Sequence, residues 1–468
     1  MPRLLLINPA NQHKGLGNLR STSWPPLNLP YIAALTPDHY DIEIIDENIE
    51  SFAFKPADIV GITAYTSTVA KGYEIALLYR SKGITTIMGG IHVSMMPDEA
   101  LNYCDAVVIG EAEDVWAKLL ADFEAGKLQP RYQGKWIDLK NLAVPRRDIL
   151  RTDYYKWGSI QTSRGCPLSC SFCSVTAFNG KRFRRRDLHD VIEELRQIPQ
   201  KKVLLADDNF IGHSNEDKAW AKAFFTRVRE AGIKKYFFAQ GSLQFGEDQE
   251  LIKLAARAGL KVLFIGLESV NPESLKTYNK SLNLKRLANN AYDENITRIR
   301  KGGIAVLGAF LLGSDDDALA SFDTTLQFIR SSHIDIIQIT KPTPLPGTAF
   351  WDQLTGDGRI LRTDFPQDWD DYRLTKMVYK PAQMSIEDVY AGFTYVKKTF
   401  FSWPETVKRT LSTLLTTKDL VATIMAYKFN QSYRKAFMES EHYKVYNRPG
   451  LEERFRSYYT LSANEQNE

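Results

Sequence analysis

The stretch that decides the architecture is TSRGCPLSCSFCSV, Thr162 to Val175. It carries Cys166, Cys170 and Cys173, three of only four cysteines in 468 residues. Four cysteines in so long a chain cannot form a disulfide framework, so the cluster needs another reason. Three readings are open. Structural zinc usually takes four ligands, commonly as two separated pairs, but no second pair follows and no histidine stands in the loop. A redox C-x-x-C uses two thiols and leaves Cys166 unexplained. An iron–sulfur cluster suits soft thiolate sulfur, and three protein ligands would leave one iron open for chemistry.

Around this loop the chain reads as a βα series. Apolar runs at SIQTS (from Ser159), KVLLADDNF (Lys202), KYFFAQGS (Lys235), KVLFIGLES (Lys261), IAVLGAFLLG (Ile304) and DIIQITKPTP (Asp335) alternate with helical stretches such as LHDVIEELRQI and DQELIKLAARAG. Six strands at this spacing predict a partial (β/α)6 barrel, since eight units need about 250 residues. Functional groups of such barrels sit at the carboxyl ends of the strands. The polar clusters Asp207-Asp208-Asn209, Gln240 with Ser242, Glu268-Ser269 and TPLPGT from Thr343 all fall there.

Upstream, RLLLIN (from Arg3), DIEIID (Asp41), DIVGIT (Asp58), ITTIMGG (Ile84) and AVVIGE (Ala106) predict a second α/β unit, a parallel, doubly wound Rossmann-like sheet covered on both faces. Glycines at Gly61, Gly89–Gly90 and Gly110 fit close ligand approach at the carboxyl edge of that sheet, or ordinary turn chemistry. From Lys127 to Tyr155 the pattern lapses into a polar, proline-marked linker. Beyond residue 356 the periodicity becomes helical, ending in a frayed polar tail, SANEQNE. The expected domains are therefore 1–140, 150–355 and 356–468. Cys104, in NYCDAVVIG, is expected to be a small buried residue with no cluster role.

Composition narrows the classes. The chain is 44% hydrophobic and 25% charged, as in ordinary globular protein, and its net charge of +4 is too small to argue for nucleic acid. No apolar run reaches the roughly 18–20 residues of a membrane span. The opening MPRLLLINPAN is too short in its apolar part for a signal peptide and has no cleavage-like tail, so a cytoplasmic location is expected. The basic run GKRFRRR, Gly180 to Arg186, is expected as a solvated face at a helix start rather than a nucleic-acid site, with one arginine free to meet a cofactor carboxylate or an acidic substrate group.

The spacing C-x-x-x-C-x-x-C after the first strand of a partial barrel resembles the radical S-adenosylmethionine (SAM) superfamily. The resemblance implies that Cys166, Cys170 and Cys173 hold a 4Fe–4S cluster whose fourth iron is chelated by SAM. Reductive cleavage would then yield a 5′-deoxyadenosyl radical. Phe172 matches the aromatic that commonly precedes the third cysteine, near the adenine. ADDNF, with Asp207 and Asp208, matches the strand end that receives the methionine amine. Gln240 and Ser242 would lie near the ribose, and GLES, with Glu268 and Ser269, resembles the fourth-strand contact. GAFLLGSDDD resembles the fifth-strand element that lies against the adenine. For each of these, capping of the following helix is the plain alternative.

The order of doubly wound domain, radical barrel and helical tail resembles the cobalamin-binding subgroup, which includes methyltransferases, hopanoid methylases and the anaerobic cyclase of bacteriochlorophyll synthesis. LLLINPA, SWPPLNLPYIAAL, VGITAYTS, MGGIHVSMMPDEAL and AVVIGEAED carry that likeness. The D-x-H-x-x-G motif with its cobalt-ligating histidine is absent, as it often is in this subgroup. Thr63, Ser67, Gly89, Gly90, His92 and Glu111 are the segments expected to line a cobalamin pocket, with His92 alternatively capping a strand end. The implied function is methylation of an unactivated carbon, using methylcobalamin and two SAM molecules. Cyclisation, oxidation or carbon–carbon coupling without methyl transfer is the alternative, and a non-enzymatic iron–sulfur sensor a further one.

The substrate is the least legible part. Phe400, Phe401 and Trp403, followed by Lys408 and Arg409, suit an apolar pocket or contact with an anionic membrane surface, or simply a helical subdomain packing its own core. Relatives with this tail point to a hydrophobic, lipid- or terpenoid-like small molecule. A flavodoxin or ferredoxin would serve as reducing partner, and no nucleic-acid partner is expected.

Overall fold

Runs of Leu, Ile and Val uninterrupted by polar residues are what strands buried on both faces require. The computed structural model, which describes residues 1–10, 24–140 and 142–455, builds strands from them. The chain divides into two units: residues 1–167, 172–208 and 344–373 in one, and 168–171, 209–343 and 374–468 in the other. The tail SANEQNE lies outside the described residues.

In the first unit, β1 (Arg3–Asn8), β2 (Asp41–Asp46), β3 (Ile59–Thr63), β4 (Thr85–Gly89), β5 (Ala106–Ile109) and β6 (Arg131–Gln133) form one sheet in the order β2-β1-β3-β4-β5-β6. Every pairing is parallel. All five residues of β3 are buried. Leu4, Leu6, Ile59, Ile87, Val108, Trp116 and Leu119 belong to one apolar cluster against this sheet, and the Trp116 indole donates to Thr36 Oγ1 at 2.9 Å. Gly61 is mid-strand, not at a ligand edge. A Cβ there would stand 2.9 Å from Leu6 Cδ2, so the glycine makes room for the core. Strand β6 falls inside the stretch expected as linker. Its three residues, RYQ, are exposed at both ends and carry no apolar run.

The same unit holds β7 (Gly158–Ile160), β8 (Ser163–Arg164), β9 (Arg184–Arg185) and β10 (Lys202–Leu205). Strands β7 and β10 pair in parallel, and β8 and β9 form an antiparallel ribbon. The second unit carries β11 (Tyr236–Gly241), β12 (Leu260–Glu268), β13 (Ala305–Leu311) and β14 (Ile336–Thr340), ordered β14-β13-β12-β11 and parallel throughout. All seven residues of β13 are buried. Helices Asn215–Glu230, Gln249–Ala258 and Leu319–Ser331 alternate with these strands, giving the α/β barrel series that the sequence predicts.

The end of the chain is helical: Ile386–Phe400, Trp403–Thr417, Leu420–Met438 and Glu441–Tyr446. Ser385 opens the first with a capping box, accepting from Asp388 N. This helix approaches Leu319–Ser331 closely at Gly392, where a Cβ would stand 2.4 Å from the ring of the fully buried Phe322. Gly392→Val is therefore expected to cost about 2–4 kcal/mol through overpacking. Chemical denaturation checks this, and a loss below about 0.5 kcal/mol would show that the contact yields.

Candidate functional site

The cysteine loop is anchored before any cofactor is considered. In the first unit, Asp207 follows β10 and accepts from Thr162 N at 2.7 Å, Ser163 N at 2.6 Å and Thr162 Oγ1 at 2.9 Å. Asp208 Oδ2 accepts from Gly165 N at 3.0 Å and from Asn179 Nδ2 at 2.9 Å. Burial pushes the Asp207 carboxyl up to about 6, against the pull of the Ser163 and Thr162 amides. Asp208 is raised too, again by burial first. Gly165 has φ +88, and a Cβ there would stand 2.3 Å from the Arg182 carbonyl, so only glycine fits the start of the loop. Both carboxylates expected at a methionine amine are thus engaged in shaping the loop that leads into Cys166.

The ribbon β8–β9 encloses that loop and is bolted to the carboxyl edge of the first sheet. Glu111, two residues beyond β5, takes both amino groups of Arg184, at 2.8 and 2.5 Å. It also accepts from Ile137 N at 2.9 Å and faces Arg164 at 3.5 Å, while Arg164 pairs with Glu113 at 2.6 Å. Burial alone would raise the Glu111 carboxyl, yet Arg184, Arg164 and the Ile137 amide outweigh it and hold it low. Further along, Arg186 and Arg147 converge on the fully buried Glu194 at 2.7 and 2.6 Å. The run GKRFRRR is therefore a solvated face only in part, with Lys181 and Arg182 exposed. Arg184 and Arg186 are buried, each neutralised by a buried carboxylate, Glu111 from the first sheet and Glu194 from the following helix.

A cleft of about 410 Å³ opens between this sheet edge and the helix Ser174–Asn179 that follows Cys173. Ser94, Met95, Gly110, Gln133, Trp136 and Phe178 are among its lining residues. Gly110, with φ +80, is one of the glycines read from sequence as a ligand edge. Thr63, Ser67, Gly89, Gly90, His92 and Glu111 are not in that lining. Thr63 Oγ1 accepts from Asn28 Nδ2 at 2.8 Å. Both His92 ring nitrogens have protein partners, Thr66 Oγ1 at 3.2 Å and Glu99 Oε1 at 3.4 Å, and its ring meets Trp369 edge-on. Burial lowers its pKa, with Glu99 pulling the other way.

In the second unit, Ser171 N and Oγ donate to the carbonyls of Tyr278 and Thr277, and Asn279 Nδ2 donates to Ser169 O, fixing the chain around Cys170. At the end of β11, Gln240 O accepts from Phe210 N at 2.9 Å. Among the described residues, the buried Ser242 Oγ has no hydrogen-bond partner. Glu268 closes β12 in the left-handed region at φ +65, uncommon for a non-glycine residue, and pairs with Lys280 at 2.8 Å. Ser269 Oγ accepts from Asn271 N, a turn that starts the helix Pro272–Thr277.

The chemistry of these groups suits an iron–sulfur cluster with a bound organic cofactor. Cys166, Cys170 and Cys173 are partly exposed and in no disulfide, while Cys104 is buried and its thiol is pushed up to about 12 by burial. Among the described residues no three His, Cys, Asp or Glu side chains converge on a single ion, so no mononuclear centre is ready-made. The unpartnered Ser242 hydroxyl at a strand end is a buried polar atom that a ligand would satisfy.

Comparison with known proteins agrees with this geometry. Residues 160–329 match the radical SAM superfamily model, and residues 14–120 match the B12 binding domain. The chain is 30% identical over 441 residues to bacteriochlorophyllide d C-8(2)-methyltransferase of Chlorobaculum tepidum, covering 87% of this chain and 92% of that one. The chain belongs to the radical SAM superfamily. Within it, the chain falls in the cobalamin-binding subgroup, so its cofactors are a 4Fe–4S cluster, SAM and cobalamin. It is also 27% identical to hopanoid C-2 methylase of Rhodopseudomonas palustris over 352 residues, 73% of this chain and 66% of that one. Two solved structures share the fold. The cobalamin-dependent SAM radical enzyme OxsB superposes with TM-score 0.68 at 14% identity, covering 99% of this chain and 75% of that one. The methyltransferase TsrM of Kitasatospora setae does so at 0.62 and 19%, covering 78% and 79%.

Among the residues of this radical SAM protein, two lysines escaped the sequence reading. Lys341, just after β14, is buried with its ammonium 3.9 Å from the centre of the Phe393 ring and 3.0 Å from Thr375 O. Lys397 lies 5.3 Å from the same ring centre. Among the described residues neither has a carboxylate partner. Burial pushes Lys397 down to about 8 and Lys341 well below the usual range, the latter also repelled by Lys397. Nothing in a lone Lys341 or Lys397 signals this, because the pairing exists only once strand end and helix meet.

Two outcomes follow from this charge layout. Glu111→Ala leaves the buried Arg184 guanidinium without its carboxylate and is expected to cost about 3–5 kcal/mol of stability. Urea denaturation measures it, and a change under about 1 kcal/mol would mean the pair is not holding the ribbon. Lys397 has a lowered folded pKa, so its penalty on folding is complete below about 8 and fades as pH rises toward the unfolded lysine value. Lys397→Met is thus expected to raise the thermal midpoint at pH 7, with the gain shrinking above pH 8. A pH-independent or negative shift would refute it.

Proposed function

We propose that this protein is a cobalamin-dependent radical methyltransferase that adds a methyl group to an unactivated carbon of a hydrophobic small molecule. The observation that carries the reading is the shared wall of the cleft. The carboxyl edge of the B12-binding sheet supplies Ser94 and Gly110, and the helix that begins directly after Cys173 supplies Ala177 and Phe178. When bound, the cluster with SAM supplies a carbon radical, and cobalamin supplies the methyl group.

The chain's own residues bind, orient and exclude water. Cys166, Cys170 and Cys173 would ligate the iron, and Phe172 would flank the adenine. Gln240, Ser242, Glu268 and Ser269 would take the polar groups of SAM, with the orphan Ser242 hydroxyl the best placed to gain a partner. Asp207 and Asp208 act indirectly, by holding Thr162, Ser163 and Gly165 so that the loop presents Cys166. Trp136, whose indole donates to Phe178 O at 2.9 Å, closes one side of the cleft with an apolar surface. None of the residues named as lining the cleft is a histidine, so its lining offers no imidazole to cobalt. Relatives named for bacteriochlorophyllide and hopanoid methylation favour a large apolar substrate. A low-potential carrier of the flavodoxin or ferredoxin kind would deliver the electron.

A second reading keeps the radical chemistry without methyl transfer. The chain is 24% identical to the anaerobic magnesium-protoporphyrin IX monomethyl ester cyclase of Cereibacter sphaeroides over 454 residues, 86% of this chain and 72% of that one. One experiment separates the two. Protein purified anaerobically with iron, sulfide and cobalamin is reduced in the presence of SAM and candidate tetrapyrrole or polycyclic substrates. Release of 5′-deoxyadenosine with a product heavier by one methyl is expected. Release without added methyl mass would favour the cyclase-like chemistry, and no release from a fully loaded cluster would end the radical reading. Cys166→Ala, Cys170→Ala and Cys173→Ala should each lose iron, whereas Cys104→Ala should keep it.

A further inference from the structure

The helix Trp403–Thr417 is built inside out. Its buried face is Thr406, Arg409, Thr413 and Thr417, and its outward face carries Trp403, Val407, Leu411, Leu414 and Leu415. Steps of four, four and three residues place Trp403, Val407, Leu411 and Leu414 on one stripe. Trp403 is 63% exposed, Leu411 55% and Leu415 73%, with Val407 and Leu414 less so at 39% and 38%. The inward polar face is partly engaged within the second unit, while Arg409 Nε and Nη2 are buried without a hydrogen bond among the described residues. The Arg409 guanidinium lies 3.5 Å over the Phe400 ring, and Thr413 Oγ1 donates to Asp335 at 2.6 Å. The helix is therefore not simply turned the wrong way. Phe400, Phe401 and Arg409, expected from sequence as part of an apolar or membrane-facing set, lie inside, and Trp403 and Lys408 are outside.

The next helix continues the pattern. Leu420–Met438 packs on its predecessor and exposes Leu420 at 62%, with Ile424 and Tyr427 one and two turns on. The charges beside these residues are of one sign. Lys408, Lys418 and Lys428 are exposed. The only acidic residues between Trp403 and Met438, Glu405 and Asp419, pair with Arg330 at 3.0 Å and Lys261 at 2.5 Å. The outward face of the hairpin thus has apolar side chains, a tryptophan and, among the described residues, lysines with no carboxylate on either helix left to pair with them.

We propose that this face docks on the surface of an anionic lipid bilayer. A helix with apolar residues and a tryptophan on one side and lysines beside them lies in the interfacial plane, held by buried apolar area and by attraction to anionic headgroups. Neither helix crosses: no described helix is long and apolar enough to span a membrane. A second copy of the chain is the other occupant an apolar face can have, but it would bring Lys408, Lys418 and Lys428 toward their own counterparts with no carboxylate between them. The charge pattern selects the anionic surface. This goes beyond the methyl-transfer reading and would give the enzyme access to a substrate dissolved in lipid.

Flotation of the full-length protein with vesicles tests it, in phosphatidylcholine alone and in phosphatidylcholine mixed with phosphatidylglycerol. Co-flotation with the mixed vesicles is expected, weakening with added salt. Leu411→Glu with Leu415→Glu should reduce it at least tenfold without moving the thermal midpoint, since both side chains are solvent-facing. Lys408→Glu with Lys428→Glu should remove the preference for anionic vesicles. A wild-type protein that stays in the aqueous phase overturns the proposal. So does equal binding to both vesicle types, or a dimer in lipid-free sedimentation that Leu411→Glu dissociates. The assay needs no turnover, so its failure leaves the methyltransferase reading standing, and a failed methyl transfer leaves this one.

Discussion

A single buried carboxylate, Glu111, organises the first unit. It receives Arg184 through two bonds, faces Arg164, and accepts from the backbone of Ile137. Removing such charges from water costs several kcal/mol per ion unless each is paired and hydrogen-bonded. The arrangement is therefore stable in one geometry and poor in any other. That geometry joins the ribbon around the cysteine loop to the carboxyl end of β5. It also holds the segment from which Trp136 reaches Phe178. The walls of the cleft are set by electrostatics at its back.

The residues proposed to meet the cofactors divide into those already satisfied and those left open. Asp207, Asp208 and Ser269 have their acceptors filled by backbone amides or neighbouring side chains. Ser242 has not. Glu268 is kept in a left-handed conformation beside Lys280, an arrangement that usually persists only where the surroundings impose it. A loop braced by filled carboxylates in the one unit, and polar groups with capacity to spare in the other, suit a protein whose cofactors carry the reactive atoms while the chain supplies position.

Much of the architecture was legible. A strand buried on both faces must be nearly apolar throughout, so β1, RLLLIN, appears in the sequence with the limits it has in the structure, and β2, DIEIID, shows the same limits through its isoleucines. The cysteine spacing was equally open to reading, because ligand spacing within one loop is a local property. Other features were hidden for physical reasons. RYQ, an edge strand of three residues, has too little buried surface to leave an apolar run. Arg184 and Arg186 of GKRFRRR look like part of a solvated patch until Glu111 and Glu194 arrive opposite them. Gly61 resembles a ligand-edge glycine, but the Leu6 side chain explains it.

The sequence by itself determined the βα alternation and the three-cysteine spacing that carries the family resemblance, because each follows from periodicity or from spacing within a few residues. Only the tertiary structure decided which charges are buried, which carboxylates serve the loop, and which face of the helix Trp403–Thr417 is outside. Burial and pairing depend on residues tens to hundreds of positions apart, such as Glu111 and Arg184 or Asp335 and Thr413. Neither member of such a pair carries a mark of the other until the chain has folded.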